Sequence, residues 1–368
     1  MTFCIPMLFG LEGIAADELR RLRVADVRAE NGRVLCCGTD SDLAKININL
    51  ATGERVLLRV GEFPASSFDE LFEGVKALRW SDYIPRDGAF PVTGYSRESK
   101  LHSVPDCQKI IKKASADSLG SAYKLATLPE TAETYQIRFS IVNDVASLYL
   151  DSSGAGLHKR GYRPQSVAAP LRETIAAGLA RISRYRGREA FRDPFCGSGT
   201  IAIEAAFAAK NRAPGLSRGF AAESWGFIGG GVWEAAREEA RSLEYGGQYD
   251  ILGTDIDPEC VAISRENAKR AGVDDVTRFE VRDARDFAES TGGVVVTNPP
   301  YGERVMERSD AEQLYREYGK ATRGLINWKQ FILSSHADFE RSFGKAADKK
   351  RKLYNGMMKC DLYMYGIK

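Results

Sequence analysis

The sequence lacks several features that would assign it to a class at once. None of its apolar runs reaches the roughly 20 residues of a membrane-spanning helix. Its first residues, MTFCIPMLFGLEGIAADELRR, do not have the basic-then-apolar order of a signal peptide. The 52 basic and 50 acidic residues nearly cancel, so that any surface for RNA or DNA must come from local clusters. These absences predict a cytoplasmic protein with no membrane partner.

The sequence also gives little support for a metal site or a disulfide framework. It has seven cysteines, of which Cys36 and Cys37 are adjacent, no C-x-x-C pair, and three scattered histidines. We therefore expect reduced thiols and no bound metal.

The order of apolar and polar segments divides the chain into two unlike halves. In the first half, strand-like runs such as TFCIPML and TYQIRFSIV alternate with helical stretches without long parallel runs, which indicates α+β modules. In the second half, strands alternate regularly with helices, which predicts an α/β fold with a doubly wound parallel sheet. The Gly- and Arg-rich SSGAGLHKRGYRPQ between them is typical of a linker or an exposed functional loop.

A glycine turn, RDPFCGSGT (192–200), separates a strand-like segment from the apolar helix IAIEAAFAA. Gly197 and Gly199 allow a tight turn and close approach of the backbone to a ligand. The third glycine of the dinucleotide-binding fingerprint is missing. Asp193 would repel a pyrophosphate, but it could accept hydrogen bonds from a cationic amine. Cys196 is interpreted as a small space-filling residue.

Carboxylates follow the next two predicted strands. Asp255 in GTDIDP stands at a strand end where acidic residues hold ribose hydroxyls. Asp257, followed by Pro258, is typical of a helix N-cap. Asp283 in RDARDF could accept a bond from an adenine amino group. Glycines, Asp255 and Asp283 at three successive strand ends indicate one ligand site.

The fourth predicted strand ends at Asn298, Pro299, Pro300 and Tyr301. The two prolines end the strand, and they hold the Asn298 amide oxygen and the Pro299 carbonyl in place as acceptors. Two fixed acceptors suit an exocyclic amine of a nucleobase, and Tyr301 offers a ring for stacking. Such acceptors align the amine's lone pair with an electrophile. A sulfonium methyl donor fits the contacts expected at the other strand ends.

Together, DPFCGSGT, GTDIDP, RDARD and NPPYGER resemble the motif series of class I S-adenosylmethionine-dependent amino-methyltransferases. LHKRGYR with APLRETIAAGL, and SKLHSVPDCQKIIKKASADSL, are similar to the bacterial THUMP-domain RNA methyltransferases. RAPGL and RKLYNGMMKC resemble the branch that methylates guanine at N2 in 23S ribosomal RNA. The resemblance implies a ferredoxin-like module (1–58), a THUMP RNA-binding domain (59–155), a linker (156–165) and a Rossmann-like methyltransferase domain with a mostly parallel seven-stranded sheet (166–368).

The resemblance also implies S-adenosylmethionine as the cofactor and RNA as the partner. The implied donor-binding residues are Asp193, Phe195, Gly197, Gly199, Thr200, Glu173, Asp255, Ile256, Asp283 and Ala284. The residues implied to hold the target base are Asn298, Pro299, Pro300 and Tyr301.

Three basic clusters are candidates for RNA contacts. Lys109, Lys112 and Lys113 recur at helical spacing and share a face, which is typical either of a phosphate-binding stripe or of a solvated helix face. Lys159 and Arg160 in the linker, and DKKRK (348–352), are the other two.

Four alternatives remain open at this point. A tRNA guanine-N2-methyltransferase has similar parts, and DNA adenine methyltransferases share the Asn-Pro-Pro-Tyr step but not the THUMP-like half. A nicotinamide-dependent oxidoreductase is disfavoured by the missing glycine and the proline step. A non-catalytic RNA-binding assembly factor is disfavoured by the intact motifs.

Overall fold

The computed structural model describes residues 1–164, 171–289, 292–301, 307–356 and 358–367. Within these ranges the chain forms two seven-stranded sheets, one in each half. None of the helices in these ranges has the length and apolar character needed to cross a bilayer.

The first sheet has the strand order β2-β3-β1-β4-β7-β6-β5. Its pairs are antiparallel except for β5 and β6, which confirms the α+β expectation for this half. The predicted ferredoxin-like and THUMP segments therefore share one continuous sheet, joined where β1 pairs with β4. The elements are β1 (Thr2–Pro6), α1 (Glu12–Arg21), β2 (Ala25–Glu30), β3 (Arg33–Cys37), α2 (Asp40–Asn49), β4 (Leu57–Pro64), α3 (Phe68–Lys76), β5 (Val92–Arg97), α4 (Val104–Tyr123), β6 (Ile137–Val142) and β7 (Val145–Asp151).

Local chemistry explains the first turns of this sheet. Gly32 has φ of +74°, which glycine adopts without strain, and it closes the hairpin between β2 and β3. The Glu12 carboxylate at the start of α1 accepts from the Gly32 backbone N–H at 3.0 Å and from that of Gly10 at 2.9 Å. Thr39 and Asp42 form a capping box that starts α2.

The second sheet has the order β10-β9-β8-β11-β12-β14-β13. Strands β8 to β12 are parallel, and β14 pairs antiparallel with both β12 and β13, as expected for a doubly wound sheet closed by an antiparallel pair. Its elements are α5 (Glu173–Ile182), β8 (Ala190–Asp193), α6 (Thr200–Lys210), α7 (Val232–Ser242), β9 (Ile251–Asp255), α8 (Pro258–Ala271), β10 (Thr277–Val281), β11 (Gly293–Thr297), α9 (Arg308–Ala321), β12 (Trp328–Ser334), α10 (Phe339–Phe343), β13 (Lys349–Asn355) and β14 (Met358–Tyr365).

The insert between α6 and β9 packs on the first half of the molecule. Trp225 stacks on Tyr135 with ring centroids 5.5 Å apart, and Trp233 is buried in the same hydrophobic core as the first sheet. The Gly215 N–H, within RAPGL, donates to the Ile48 carbonyl at 2.8 Å. The insert therefore fastens the two halves to each other.

The segment that precedes the second sheet is not the exposed loop that its composition predicts. Leu157, Arg160 and Tyr162 are buried. The Arg160 guanidinium donates to Glu204 at 3.3 Å, and the Tyr162 hydroxyl donates to the same carboxylate at 3.2 Å. Because Glu204 lies on α6, the segment is anchored in the core of the second half.

Candidate active site

The carboxyl ends of four parallel strands bring the predicted site residues to one edge of the second sheet. β8 ends at Asp193, β9 at Asp255, and β11 immediately before Asn298; β10 ends two residues before Asp283. β8 lies between β9 and β11, so the chain order reverses on either side of it. Open α/β sheets bind ligands at such a point, outside the carboxyl ends of the strands.

The glycine turn is tied to the neighbouring strand. The Cys196 N–H donates to the Thr254 carbonyl at 2.9 Å, and the Gly197 N–H donates to Asp255 Oδ2 at 2.9 Å. Gly197 and Gly199 have φ of +52° and +80°. A Cβ on Gly199 would lie 3.0 Å from the Ser264 Cβ, so that both the backbone conformation and the packing require glycine there.

Helix α8 supports this turn from below, which motif reasoning did not identify. The Ser264 hydroxyl donates to the Gly197 carbonyl at 2.7 Å, and the Asn267 amide donates to the Ser198 carbonyl at 3.0 Å. Both side chains are completely buried. The sequence offered one signal for this support: Ser264 and Asn267 are polar residues spaced i, i+3, which places both on the same face of α8.

Asp193 is the most strongly perturbed carboxylate at this edge. Its Oδ1 accepts from the Thr297 hydroxyl at 2.7 Å and from the Phe195 N–H at 3.4 Å. Its Oδ2 is buried and has no hydrogen-bond partner in the described part of the chain. Burial raises the pKa of Asp193 to about 7. A buried acceptor without a partner is costly, and an ammonium group placed against it would remove that cost.

The residues predicted to contact the ribose and the adenine ring offer a carboxylate acceptor and exposed apolar surface, respectively. Among the described residues, Asp255 accepts from two backbone N–H groups, at Gly197 and, through Oδ1, at Asp257 (3.1 Å), so that its remaining lone pairs stay available. Ile256, directly after β9, and Val281, which pairs with Asp255 at the end of β10, expose 62% and 56% of their surface. They present apolar surface of the kind that a purine ring covers.

Asp257 has the role predicted for it. Its Oδ1 accepts from the Glu259 N–H at 2.8 Å, with Pro258 at the first position of α8, as an N-cap residue does.

Asp283 is already engaged by its own neighbour. Its carboxylate accepts from the backbone N–H of Arg285 at 2.9 Å and from that residue's guanidinium at 2.5–2.9 Å. The hydrogen bond from Arg285 is the main cause of a lowered pKa at Asp283. Ala284 is buried beside it. An adenine amino group would therefore have to share this carboxylate with Arg285.

A buried ion pair links Glu173 to the start of α6. Arg163 donates to the Glu173 carboxylate at 3.1 Å and to the Thr200 hydroxyl at 2.9 Å. Glu173 and Thr200 are therefore brought next to the glycine turn, as expected. Phe195 lies on the other side of the turn, with its ring edge-on to Tyr318 at 5.2 Å.

The Asn-Pro-Pro-Tyr step is held by two tyrosines. The Tyr301 hydroxyl donates to Asn298 Oδ1, the atom expected to accept from the target base. The Tyr315 hydroxyl, on α9, donates to the Pro300 carbonyl at 2.5 Å. Burial raises the pKa of both phenols, that of Tyr315 to about 12, so both act as donors at neutral pH. The last three residues of NPPYGER, 302–304, lie outside the described residues.

Some of the basic residues expected at the RNA surface are exposed, whereas others are bound to side chains of the protein itself. Lys109 and Lys113 are exposed on α4. Lys112 binds the Glu130 carboxylate at 2.6 Å and lies 3.4 Å from the centroid of the Phe90 ring. The predicted stripe of three thus presents two exposed cations, of which Lys109 also lies 3.7 Å from the Asp106 carboxylate.

Of the two linker residues, Lys159 is exposed but Arg160 is not. Arg160 is 3% exposed and also donates to the carbonyls of Ala51 and Leu157, both at 2.5 Å. The prediction that Arg160 binds RNA is therefore wrong, because its buried guanidinium is closed off from a phosphate at the surface.

The chain matches three family models. Residues 160–364 match an RMKL-like methyltransferase domain, residues 2–57 the RlmL ferredoxin-like domain and residues 65–151 the THUMP domain. A putative RNA methyltransferase, YpsC of Bacillus subtilis (strain 168), is 43% identical across 98% of this chain and 94% of its own length.

Two further comparisons agree with these matches. The ribosomal RNA large subunit methyltransferase K/L of Syntrophotalea carbinolica (strain DSM 2380 / NBRC 103641 / GraBd1) is 33% identical over 97% of this chain, which spans 52% of that longer protein. The crystal structure of SMU.472, a putative methyltransferase complexed with SAH, superimposes with a TM-score of 0.93 at 41% identity, covering 99% of this chain and 97% of that one. The chain belongs to the RMKL-like methyltransferase family, in the form that carries RlmL-type ferredoxin-like and THUMP domains.

Proposed function

We propose that this protein transfers a methyl group from S-adenosylmethionine to the exocyclic N2 amine of a guanosine in 23S ribosomal RNA. The observation that carries the proposal is the bond from Thr297 to Asp193, because it joins a donor-binding carboxylate to the residue that precedes Asn298. The names of the relatives support an RNA methyltransferase, and the ribosomal one supports the large-subunit substrate.

The donor side of the proposal rests on Asp193 and Asp255. The unpartnered Oδ2 of Asp193 fits the cationic amine of the donor's methionine part, and Asp255 fits the two ribose hydroxyls. Ile256 would pack against the adenine, and Asp283 with Ala284 would face its edge. When bound, the donor would supply a sulfonium methyl group and leave as S-adenosylhomocysteine, while the methylated amine would release one proton to water, with no covalent enzyme intermediate.

The target side rests on Asn298 and Pro299. Their oxygens accept the two hydrogens of the guanine amine, which localises the lone pair on nitrogen and aims it at the methyl group. To reach Asn298, the amine takes the place of the Tyr301 hydroxyl, and the freed ring stacks on the base. The base must be unpaired or flipped out, at a cost of a few kcal/mol.

For the modules we propose the boundaries 1–58, 59–155, 156–165 and 166–368. The first two form the shared sheet that would engage RNA, with Lys109 and Lys113 of this sheet's modules and Lys159 of the linker as exposed phosphate contacts. The last carries the chemistry.

Mass spectrometry of nucleosides tests the proposal directly. 23S rRNA and tRNA are purified from cells with and without the gene, and N2-methylguanosine is quantified in each. We expect a loss confined to 23S rRNA. A loss confined to tRNA would transfer the activity to the tRNA guanine-N2-methyltransferases, and an unchanged set of methylated nucleosides would contradict an RNA methyltransferase.

A further inference from the structure

A basic groove lies away from the candidate active site, where the two halves of the molecule meet. It has a volume of about 1000 Å³ and is lined by α1, by the end of α5 with the residues that follow it, and by residues of β12, β13 and β14. Eight of its lining residues are Lys or Arg, against two acids, Asp17 and Glu18. A cleft lined by one sign of charge concentrates its field and attracts the opposite charge.

Most of this positive charge is not neutralised by the protein. Arg181 pairs with Glu18, Lys350 with Glu340, and Arg351 donates to the Gly10 carbonyl. The other five form no ion pair with any residue in the ranges that the structure describes, and all are exposed: Arg21, Arg184, Arg186, Lys329 and Lys349. Burial, together with the neighbouring Arg21 and Arg181, lowers the pKa of Arg186, as expected of crowded cations.

The position of the groove separates it from the methyl-transfer chemistry. Lys329 is the second residue of β12, whereas Asn298 follows the carboxyl end of the adjacent β11. Lys329 pairs with Val294, so four residues of strand, about 13 Å, separate its level in the sheet from that of Asn298. A ligand in the groove would therefore contact the protein at a point distinct from the base that is held at Asn298.

We propose that this groove binds the sugar-phosphate backbone of the RNA substrate and so orients a flanking segment of the RNA relative to the methyltransferase domain. This inference rests on the proposed function for the identity of the RNA. Phosphate contacts of this kind fix register and orientation without reading sequence, which suits arginine and lysine side chains contributed by several separate elements.

Two triple variants test the groove. The first is Arg186→Gln/Lys329→Gln/Lys349→Gln, and the matched control is Arg241→Gln/Lys269→Gln/Lys320→Gln, which removes three exposed cations elsewhere. Filter binding to 23S rRNA transcribed in vitro is measured between about 0.05 and 0.2 M salt. We expect the groove variant to bind more weakly, with a salt slope smaller by about three, one for each lost phosphate contact, and the control to match the parent protein.

Methyl transfer separates this inference from the proposed function. We expect the groove variant to raise KM for RNA while kcat and the affinity for S-adenosylhomocysteine stay unchanged. If the parent protein methylates guanosine and the groove variant matches it in salt slope and KM, the groove proposal is overturned and the function stands. If the parent protein forms no N2-methylguanosine but the groove variant still loses RNA affinity, the proposed function fails and the groove stands.

A single variant and a vesicle-binding measurement complete the test of the groove. Should the triple variant unfold, the single change Lys329→Gln at the exposed start of β12 gives a smaller version of the test, with a slope change of about one. Groove-dependent binding to phosphatidylglycerol vesicles, combined with unchanged RNA binding, would overturn the proposal in favour of a membrane surface.

Discussion

The proposed donor half and the proposed target-base half of the candidate site differ in how their polar atoms are satisfied. In the donor half, Asp255, Ser264 and Asn267 fix the glycine turn, and the buried Oδ2 of Asp193 is left for a ligand. In the target-base half, the acceptor on Asn298 is covered by the protein's own Tyr301. The donor half is therefore preorganised, whereas the target-base half must exchange one hydrogen bond for another. Substitutions in the two halves should consequently separate donor binding from chemistry.

The largest expected effect is at Asn298. Asn298→Ala removes the side-chain acceptor for the base amine, and we expect kcat to fall on the order of 100-fold or more, as when one preorganised polar group is removed from other active sites. The affinity for S-adenosylhomocysteine, measured by calorimetry, should stay at the parent value. Asn298→Asp, which keeps an oxygen at that position, is the matched control and should retain more activity. A comparable loss of donor affinity in Asn298→Ala would contradict the division into two halves.

Asp193→Asn should act on the other half. Losing a charge-assisted hydrogen bond to the donor's amine costs about 1.5–3 kcal/mol, which is roughly 10- to 100-fold in the dissociation constant of the donor. Calorimetry with S-adenosylhomocysteine measures it. Because Thr297 also bonds to Asp193, Thr297→Val is the companion variant, and we expect it to weaken donor binding less, since the carboxylate remains. Unchanged affinity in Asp193→Asn would remove Asp193 from the donor site.

Donor binding should also depend on pH. With a pKa of about 7, Asp193 is largely protonated in mildly acidic solution and must release its proton before it can accept from an ammonium group. Affinity for S-adenosylhomocysteine should therefore rise with pH up to about 7, approaching tenfold per unit at the acidic end. In Asp193→Asn this dependence should disappear. An equal dependence in both proteins would assign it to another group.

The strand-end residues of the candidate site could be predicted from the sequence alone. The strand ends at Asp193, Asp255 and Asn298 were predictable because carboxyl ends of parallel strands always meet at one edge, whatever the rest of the fold does. The N-cap role of Asp257 was equally local, since it depends only on the following proline.

The contacts that were not predictable depend on residues distant in the chain. Arg160 reads as an exposed cation, but its partner Glu204 lies 44 residues away. The packing of Trp225 on Tyr135 links segments 90 residues apart, and no periodic pattern in the sequence predicts this contact. At Tyr301, the sequence pattern implies a stacking ring but contains nothing to place its hydroxyl on Asn298.

A smaller effect, on the free energy of unfolding, should separate backbone strain from tight packing at the glycine turn of the donor half. Gly199→Ala adds a Cβ to a residue at φ +80° and brings it 3.0 Å from Ser264. Gly231, at φ +81° with open space around it, is the matched control. We expect Gly231→Ala to lower the free energy of unfolding by about 1 kcal/mol, from backbone strain alone, and Gly199→Ala to cost about 1–3 kcal/mol more. Urea denaturation measures both, and equal costs would contradict a tightly packed turn.

The smallest effect is expected at the THUMP helix α4. Lys109→Glu/Lys113→Glu should reduce the salt slope of RNA binding, because both cations are exposed. Lys112→Gln, which removes a cation already bound to Glu130, should leave the slope unchanged. An unchanged slope in the double variant would remove this face of α4 from the RNA interface.

The most direct test uses purified protein and a donor with a deuterated methyl group. The protein is incubated with unmodified 23S rRNA or tRNA, and the digested nucleosides are examined by mass spectrometry for the position of the label. We predict labelled N2-methylguanosine from 23S rRNA with the parent protein, and none with Asn298→Ala. Label on adenosine, label from tRNA alone, or undiminished label with Asn298→Ala would contradict a guanine amine held by Asn298 in ribosomal RNA.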